Sequence, residues 1–362
     1  MQRIAIGRLM SKAKVRRSGS DEYPVLSITM KDGIVLQGDK FKKRIASQDT
    51  ADYKVVPCGK LVQGIHIDEG NFGIQDLVPE GIVSPAYTIW DVNDELVIPK
   101  YLETALRSPQ CIAYYKSKLT GTVNRRGHMS DKDFLGMEIP YLSKDGQQKA
   151  LNILDQAKQV VITRQQQLQQ LDELIKARFV EMFGDVEQED TLLNLCNIID
   201  YRGKTPEKVE DGLPFITAKN IRMHQLSIEP REYISKEVYD SVMTRGFPRE
   251  GDVVFTTEAP LGNVCRLPHF DTEFYVGQRI VTLQTDKLAP AYLEYALDTD
   301  EFRRKVEGKS SGSTVMGIRV RLLEQLTIPV PNRESQEQFS AFVSQVDKSK
   351  VVGMNHPLAT AA

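Results

Sequence analysis

Hydrophobic and polar residues along this chain change period several times. Short alternating or compactly apolar runs, Val25–Thr29, Lys60–Ile65, Ile82–Trp90, Val253–Thr257 and Arg279–Gln284, are bounded by Gly, Pro and Asp and predict β-strands. Tyr101–Leu119 and Ala291–Val306 carry apolar residues at helical spacing and predict amphipathic helices. Between these regions lies a stretch from Gln147 to Phe183 without Gly or Pro, rich in Gln, Leu, Lys and Ala. In it Leu154, Val161, Leu168, Ile175 and Met182 recur at heptad spacing, and Ala157 and Leu171 widen the row. Lys158, Gln165 and Asp172 interrupt the flank, so the seam is narrow. A narrow, sustained heptad seam predicts a coiled coil with one partner helix rather than a helix lying on a globular core. Such a helix would run on the order of 50 Å, at about 1.5 Å per residue, and overhang a small domain. A second helix is predicted from Ser335, with Phe339, Phe342, Val343 and Val346 on one face. It ends before Gly353 and Pro357, at roughly half the length of the first. The tail after it does not resemble the corresponding part of the long helix, which suggests a truncated or variant sequence.

The patterns occur twice, with an offset of about 190 residues. Pro99-Lys100-Tyr101-Leu102-Glu103-Thr104-Ala105-Leu106 matches Pro290-Ala291-Tyr292-Leu293-Glu294-Tyr295-Ala296-Leu297. Lys118-Leu119-Thr120-Gly121-Thr122 faces Lys309-Ser310-Ser311-Gly312-Ser313. Ile139-Pro140 and Ile328-Pro329 follow, each trailed by a glutamine, Gln147 and Gln336. Upstream, Tyr23-Pro24-Val25-Leu26 is similar to Leu213-Pro214-Phe215-Ile216. The chain therefore divides into a β-rich globule over 1–146, a long helix over 147–185, a second globule over 186–334, a shortened helix over 335–351 and a tail over 352–362.

Composition narrows the class. The 362 residues include 47 Lys+Arg against 49 Asp+Glu, and 41% are hydrophobic, which suits two globular domains rather than a disordered or fibrous chain. The near-zero balance excludes a polybasic binder working by bulk attraction, but not charge gathered on one face. Mean hydropathy is −0.34, no stretch approaches the roughly 20 apolar residues of a membrane span, and no secretory leader pattern opens the chain. Cys58, Cys111, Cys196 and Cys265 are scattered without a Cys-x-x-Cys pair, as in a reducing cytoplasm.

The order globule, long helix, globule, helix resembles the specificity subunit of type I restriction–modification systems. The segment Leu171-Asp172-Glu173-Leu174-Ile175-Lys176-Ala177-Arg178-Phe179-Val180-Glu181-Met182-Phe183-Gly184-Asp185 is similar to the end of that family's central conserved helix. The duplicated Gly-Thr or Gly-Ser, Ile-Pro and Gln series is the second match, and the likeness covers nearly the whole chain. It implies an α+β fold in which two pseudo-repeated β-rich target recognition domains are separated by long helices forming an antiparallel coiled coil. It also implies that each domain reads one half of a bipartite, asymmetric double-stranded DNA site while the helices set the spacing. Two methyltransferase subunits would dock on it and restriction subunits would join outside. The chain itself would do no chemistry and bind no cofactor directly, S-adenosylmethionine, ATP and Mg being implied for the partners. On this reading Leu154, Val161, Leu168, Leu171 and Ile175 on the long helix and Phe339, Phe342 and Val346 on the short one are helix-packing residues, the short helix meeting only one end of the long one. Because the second helix is short, a remainder of the first that includes Leu168 and Ile175 is expected to need a partner.

DNA readers hold phosphates with Lys, Arg, Ser and Thr and read base edges with Arg, Asn, Gln and Lys. In the first globule the candidates are Lys12, Arg16 and Arg17, with no acid before Asp21, and Thr122, Asn124, Arg125 and Arg126. In the second they are Lys204, then Lys219, Asn220 and Arg222, then Gln278 and Arg279, and finally Ser313, Thr314 and Arg319. A single Lys or Arg reads equally well as a solvated charge. The recurrence of a small, polar, basic loop in both copies favours DNA contact. No catalytic or metal-ligating residue is expected. Ser84-Pro85-Ala86-Tyr87 has Ala where an amino-methyltransferase box has Pro; Gly203-Lys204-Thr205 lacks the earlier glycine of a phosphate loop; Glu307-Gly308-Lys309 lacks a preceding Pro-Asp strand; and the five histidines show no ligand spacing with the cysteines. Trp90 reads as a core residue. Two alternatives stay open: a coiled-coil scaffold without DNA function, and the recognition part of a type II restriction enzyme.

Overall fold

The computed structural model describes residues 2–40, 49–119, 129–201, 203–277, 279–312 and 314–352, and the chain divides into two units, 1–162 and 163–362. In the first, β1 (Arg3–Ala5), β2 (Met10–Lys12), β3 (Leu61–Gln63), β4 (Phe72–Ile74) and β5 (Thr88–Val92) precede α1 (Pro99–Leu106) and α2 (Pro109–Lys118). Then come β6 (Glu138–Pro140) and the start of the long helix α3 (Lys144–Phe183). The main sheet is antiparallel in the order β2-β5-β3-β4, with Leu61 opposite Trp90. β1 pairs with β6, Arg3 opposite Pro140. Two further ladders join Leu26–Thr29 to Gly33–Leu36 and Lys54–Pro57 to Glu80–Val83.

The sheet is buried on both faces, which is why its strands are compactly apolar rather than alternating. Leu61 and Trp90 face one core with Phe72, Leu102, Tyr115 and Phe134. Their neighbours Val62 and Ile89 face another with Leu26, Val56 and Val83. Trp90 is a core residue, and its indole N–H donates to Gln63 Oε1 at 2.8 Å.

The second unit repeats this plan. Its elements are β7 (Glu189–Thr191), β8 (Asn197–Asp200), β9 (Val253–Thr256), β10 (Val264–Arg266), β11 (Ile280–Gln284), α4 (Pro290–Ala296), α5 (Asp300–Lys309), β12 (Thr327–Pro329) and α6 (Arg333–Val352). The sheet order β8-β11-β9-β10 is antiparallel and matches the first sheet strand for strand, and β7 pairs with β12 as β1 does with β6. In this unit Leu213–Ile216 also pairs antiparallel with Tyr233–Ile234 and parallel with Tyr275–Val276, and Ile221–Arg222 forms a hairpin with Gln225–Leu226.

Each single helix expected after the sheet is two. Pro109 and Asp300 open new helices, with Ser108 Oγ accepting the Cys111 N–H and Thr299 Oγ1 the Phe302 N–H at 3.2 Å. A capping hydroxyl offers the backbone an end at a point where the apolar spacing runs on unbroken, and Pro109 cannot lie inside a helix. Likewise the expected run Ile82–Trp90 is two strands parted by a turn at Ser84, whose carbonyl accepts the Tyr87 N–H.

In the second unit α6 packs antiparallel on the C-terminal part of α3. Ile175, Phe179 and Phe183 meet Tyr292, Phe339, Val343 and Val346, with Phe179 and Phe339 edge to face at 5.4 Å. Leu171 and Phe342 are partly buried against the same cluster, and Leu168 is half-buried. Lys350 pairs with Asp172 at 2.7 Å, and its carbonyl accepts from Arg164 at 2.8 Å. Three expectations change. Ile175 is fully buried rather than left for a partner, whereas Leu154 and Val161 are 42% and 56% exposed. Among the described residues α3 has 40 residues and α6 has 20, so the heptad row outruns the described part of its partner. Among the described residues no helix is long and apolar enough to cross a membrane.

Candidate nucleic-acid interface

The repeated motifs build a frame before they build a site. Gln147 and Gln336 are buried at the start of α3 and α6. Gln147 Oε1 accepts the N–H of Ile98, the residue before Pro99, at 2.8 Å, and its amide donates to the carbonyls of Leu96 and Leu142. Gln336 Oε1 accepts the N–H of Ala289, before Pro290, also at 2.8 Å, and its amide donates to Pro331 O. The Tyr101 hydroxyl donates to Pro140 O at 3.2 Å, and Tyr292 to Pro329 O at 2.6 Å. One glutamine and one tyrosine therefore tie each helix pair to its closing strand, satisfying groups that burial would otherwise leave unpaired.

On this frame the second unit brings three of the predicted loops to one open cleft of about 480 Å³, lined by Gly203, Thr205, Thr257, Glu258, Arg279, Ser311, Val315, Gly317, Ile318 and Arg319. The end of β9 is its floor. Thr257 N–H donates to Arg279 O at 2.8 Å, and Ile318 N–H to Thr257 O at 2.9 Å. Ser311 and Gly317 exchange backbone hydrogen bonds, and Gly317 bridges to Glu258, so the glycine-serine loop is stitched to the strand. The approach is close: a Cβ on Gly317 would sit 3.2 Å from Glu258 Cβ and 3.3 Å from Thr257 O. Arg279 has φ 65°, a left-handed conformation unusual for a residue with a side chain. Its Nε lies 3.2 Å from Glu258 Oε1. Glu258 is the residue that the sequence did not single out; one acid after a strand carries no pattern.

The remaining candidates fall elsewhere. Lys204 Nζ donates to Val242 O and Thr244 Oγ1, so it fastens the loop that Gly203 and Thr205 present. Lys219 is exposed and pairs with Glu232 at 3.3 Å. Arg222 is exposed on its hairpin, and Thr314 on the glycine-serine loop. Neither Lys219, Asn220 nor Arg222 lines the cleft. Asn220 is corrected to a structural residue: it is buried, its Oδ1 accepts the Thr217 N–H at 3.0 Å, and its amide donates to Ser227 O and Pro230 O. Gln278 and Ser313 lie outside the described residues, as do Thr122, Asn124, Arg125 and Arg126.

In the first unit Lys12, Arg16 and Arg17 are exposed, paired with Asp131 at 2.9 Å, Glu80 at 2.6 Å and Asp52 respectively. Lys54 bridges to Arg17 in the backbone, and its ammonium pKa is lowered, first by burial and then by the charges of Lys12 and Arg17. Lys12 and Arg17 therefore both lie near Lys54, each held by an acid of its own.

A buried ionic knot backs the second unit. His224, with φ 58°, bridges Glu294 Oε1 at 3.1 Å and Asp298 Oδ2 at 2.9 Å and stacks on Tyr295. Arg266 pairs with Glu294, and Lys176 and Arg303 pair with Asp298. Burial alone would raise the Asp298 pKa, but hydrogen bonds from His224, Lys176 and Arg303 hold it well below the usual carboxylate range. Burial pushes the Cys196 and Cys265 thiols up to about 12, which leaves them inert. Among the described residues no cluster of His, Cys, Asp and Glu is arranged to hold a metal.

Residues 188–354 match the family model described as Type I restriction modification DNA specificity domain. The type I restriction enzyme MjaVIII specificity subunit of Methanocaldococcus jannaschii is 20% identical over 310 residues, covering 77% of this chain and 71% of that protein. Among solved structures, a chain from work on complex assembly and conformational transition of a type I R-M system aligns over 97% of this chain and 91% of its own, at 17% identity and a TM-score of 0.60. The type I S subunit from M. genitalium aligns over 97% and 90%, at 13% identity and a TM-score of 0.51. These two show the α+β fold. Neither a scaffold without DNA function nor a type II enzyme is favoured by these matches. Residues 188–354 therefore carry a type I restriction modification DNA specificity domain, and over most of its length the chain is similar to a type I restriction enzyme specificity subunit.

Proposed function

We propose that each unit reads one half of a split, asymmetric double-stranded DNA site, with the spacer between the halves set by the helices. The observation that carries this reading is the duplication: two sheets of one strand order, each closed by the same Gln and Tyr clamps. A repeated frame with different exposed loops suits two readers of different sequence, since loops vary where a scaffold cannot. In the second unit the reading surface is the cleft with Thr205, Arg279, Ser311 and Arg319. In the first, the exposed side chains of Lys12, Arg16 and Arg17 contact phosphates. The chain does no chemistry. Two methyltransferase subunits, and restriction subunits outside them, use S-adenosylmethionine, ATP and Mg on the DNA it selects. A cytoplasmic setting fits the four free thiols.

The test is to express the chain with a cognate methyltransferase subunit in a host lacking other DNA methyltransferases and to map methylated positions by sequencing. Methylation confined to one bipartite motif with a fixed spacer is expected. Methylation without a motif, or at a continuous one, would overturn the reading.

A further inference from the structure

We infer that Arg279 and Glu258 form the base-reading pair of the second unit. Arg279 presents its guanidinium fork to O6 and N7 of one guanine in the major groove, and Glu258 is the positioning residue that holds the fork. This rests on the reading of the unit as a half-site reader.

Three observations carry it. Arg279 sits in the left-handed region at φ 65°, held there because its carbonyl takes the Thr257 N–H while the next residue, Ile280, pairs with Thr256. Backbone conformations of this kind persist only where the surroundings impose them, and they gather at functional positions. Second, the nearest approach of Glu258 to Arg279 is at Nε, 3.2 Å away, rather than at a terminal nitrogen of the fork. The two side chains are 56% and 46% exposed, so the pair stands ready at the open face of the cleft rather than inside the core. Third, the cleft around it is furnished for a backbone that carries negative charge, with Thr205, Ser311 and Arg319 on its walls.

Against that setting the carboxylate is informative. An acid in a DNA cleft repels phosphates and weakens general grip. Its presence beside Arg279 is accounted for if it restricts a flexible side chain to one orientation, which turns a nonspecific cation into a reader. Gly317 shapes the same site, since only a residue without a Cβ lets the loop lie against Glu258 without displacing it.

The experiment uses the full chain with a methyltransferase subunit. A target is selected from randomised DNA, and affinities are then measured for that target, for each single base-pair change and for unrelated DNA, at several salt concentrations. Arg279→Ala and Arg279→Lys should lose roughly 5- to 150-fold discrimination at one G·C pair and keep it at the others. Lysine retains the charge but not the fork. Glu258→Gln should lose discrimination at that same pair while binding unrelated DNA more tightly, with the salt slope steeper by about 0.9 as the freed arginine reaches a phosphate. Unchanged thermal midpoints would show that the fold survives. Equal loss on target and unrelated DNA in Glu258→Gln, or full discrimination at every G·C pair in both Arg279 variants, would overturn the inference. Loss in Glu258→Gln alone, with Arg279→Ala unaffected, would also overturn it. Failure of the unaltered chain to select any site would instead overturn the half-site reading beneath it.

Discussion

Glu103 and Glu294 occupy the same place in the repeat, and both are buried, yet they hold different partners. Glu103 takes Lys100 and Arg107 from its own helix and the N–H of Ile74 from β4. Glu294 takes Arg266 from β10 and His224 from the hairpin of Ile221–Arg222 with Gln225–Leu226. Gln147 and Gln336, by contrast, make the same contact with the residue before Pro99 and Pro290. Positions that satisfy frame backbone have stayed alike in the two units; the ion pairs of the buried carboxylates have diverged. The long helix shows the same contrast along its length: Phe179 is enclosed by aromatic rings, while Val161, on the same element, is exposed.

The largest effect should separate the two ends of that helix. Phe179→Ala removes a buried ring packed on Phe183, Tyr292 and Phe339 and should cost about 4 kcal/mol in denaturant unfolding of the second unit. Val161→Ala should cost less than about 0.5 kcal/mol. Similar losses at both positions would mean that the exposed end is covered in solution.

A smaller effect tests the divergent carboxylates. Burial by itself lowers the His224 pKa, but the hydrogen bonds to Asp298 and Glu294, with their charges, outweigh it and raise the value above the ordinary one. The protonated clip therefore contributes fully below about pH 6.5 and fades as pH rises through the folded-state value. His224→Gln should cost about 3 kcal/mol at pH 6 and clearly less at pH 9. A cost that stays constant from pH 6 to pH 9 would contradict the assignment.

The shared clamps should give the smallest and most equal pair. Gln147→Ala and Gln336→Ala each leave a buried N–H and at least one carbonyl without a partner, at about 2 kcal/mol. Unequal losses, beyond about 1 kcal/mol apart, would show that the two frames are not equivalent.

Much of this was legible in the chain, and for one reason: the repeat is written in residues that hold backbone to backbone, Pro, Tyr, Ile-Pro and Gln, which tolerate little change. The sheet strands were legible as compact runs because both faces are buried. The breaks at Ser108 and Thr299 were not, because a cap ends a helix without disturbing its apolar spacing. The heptad row promised packing at Leu154 and Val161, but a sequence period does not report where a partner helix stops. Asn220 has the composition of a reader and the geometry of a turn. Its amide matches one N–H and two carbonyls within ten residues, a local closure that residue type alone does not disclose. Glu258 was invisible for the opposite reason: its role depends on Arg279, brought to it by the pairing of β9 with β11.

The central claim is that the two units read independently. It is tested most directly by replacing 186–334 with the corresponding segment of a specificity subunit of known, different target, and mapping methylation by the hybrid with a methyltransferase subunit. The account predicts that one half of the bipartite motif changes to that of the donor while the other half is retained. A motif altered in both halves, or in neither, would contradict it.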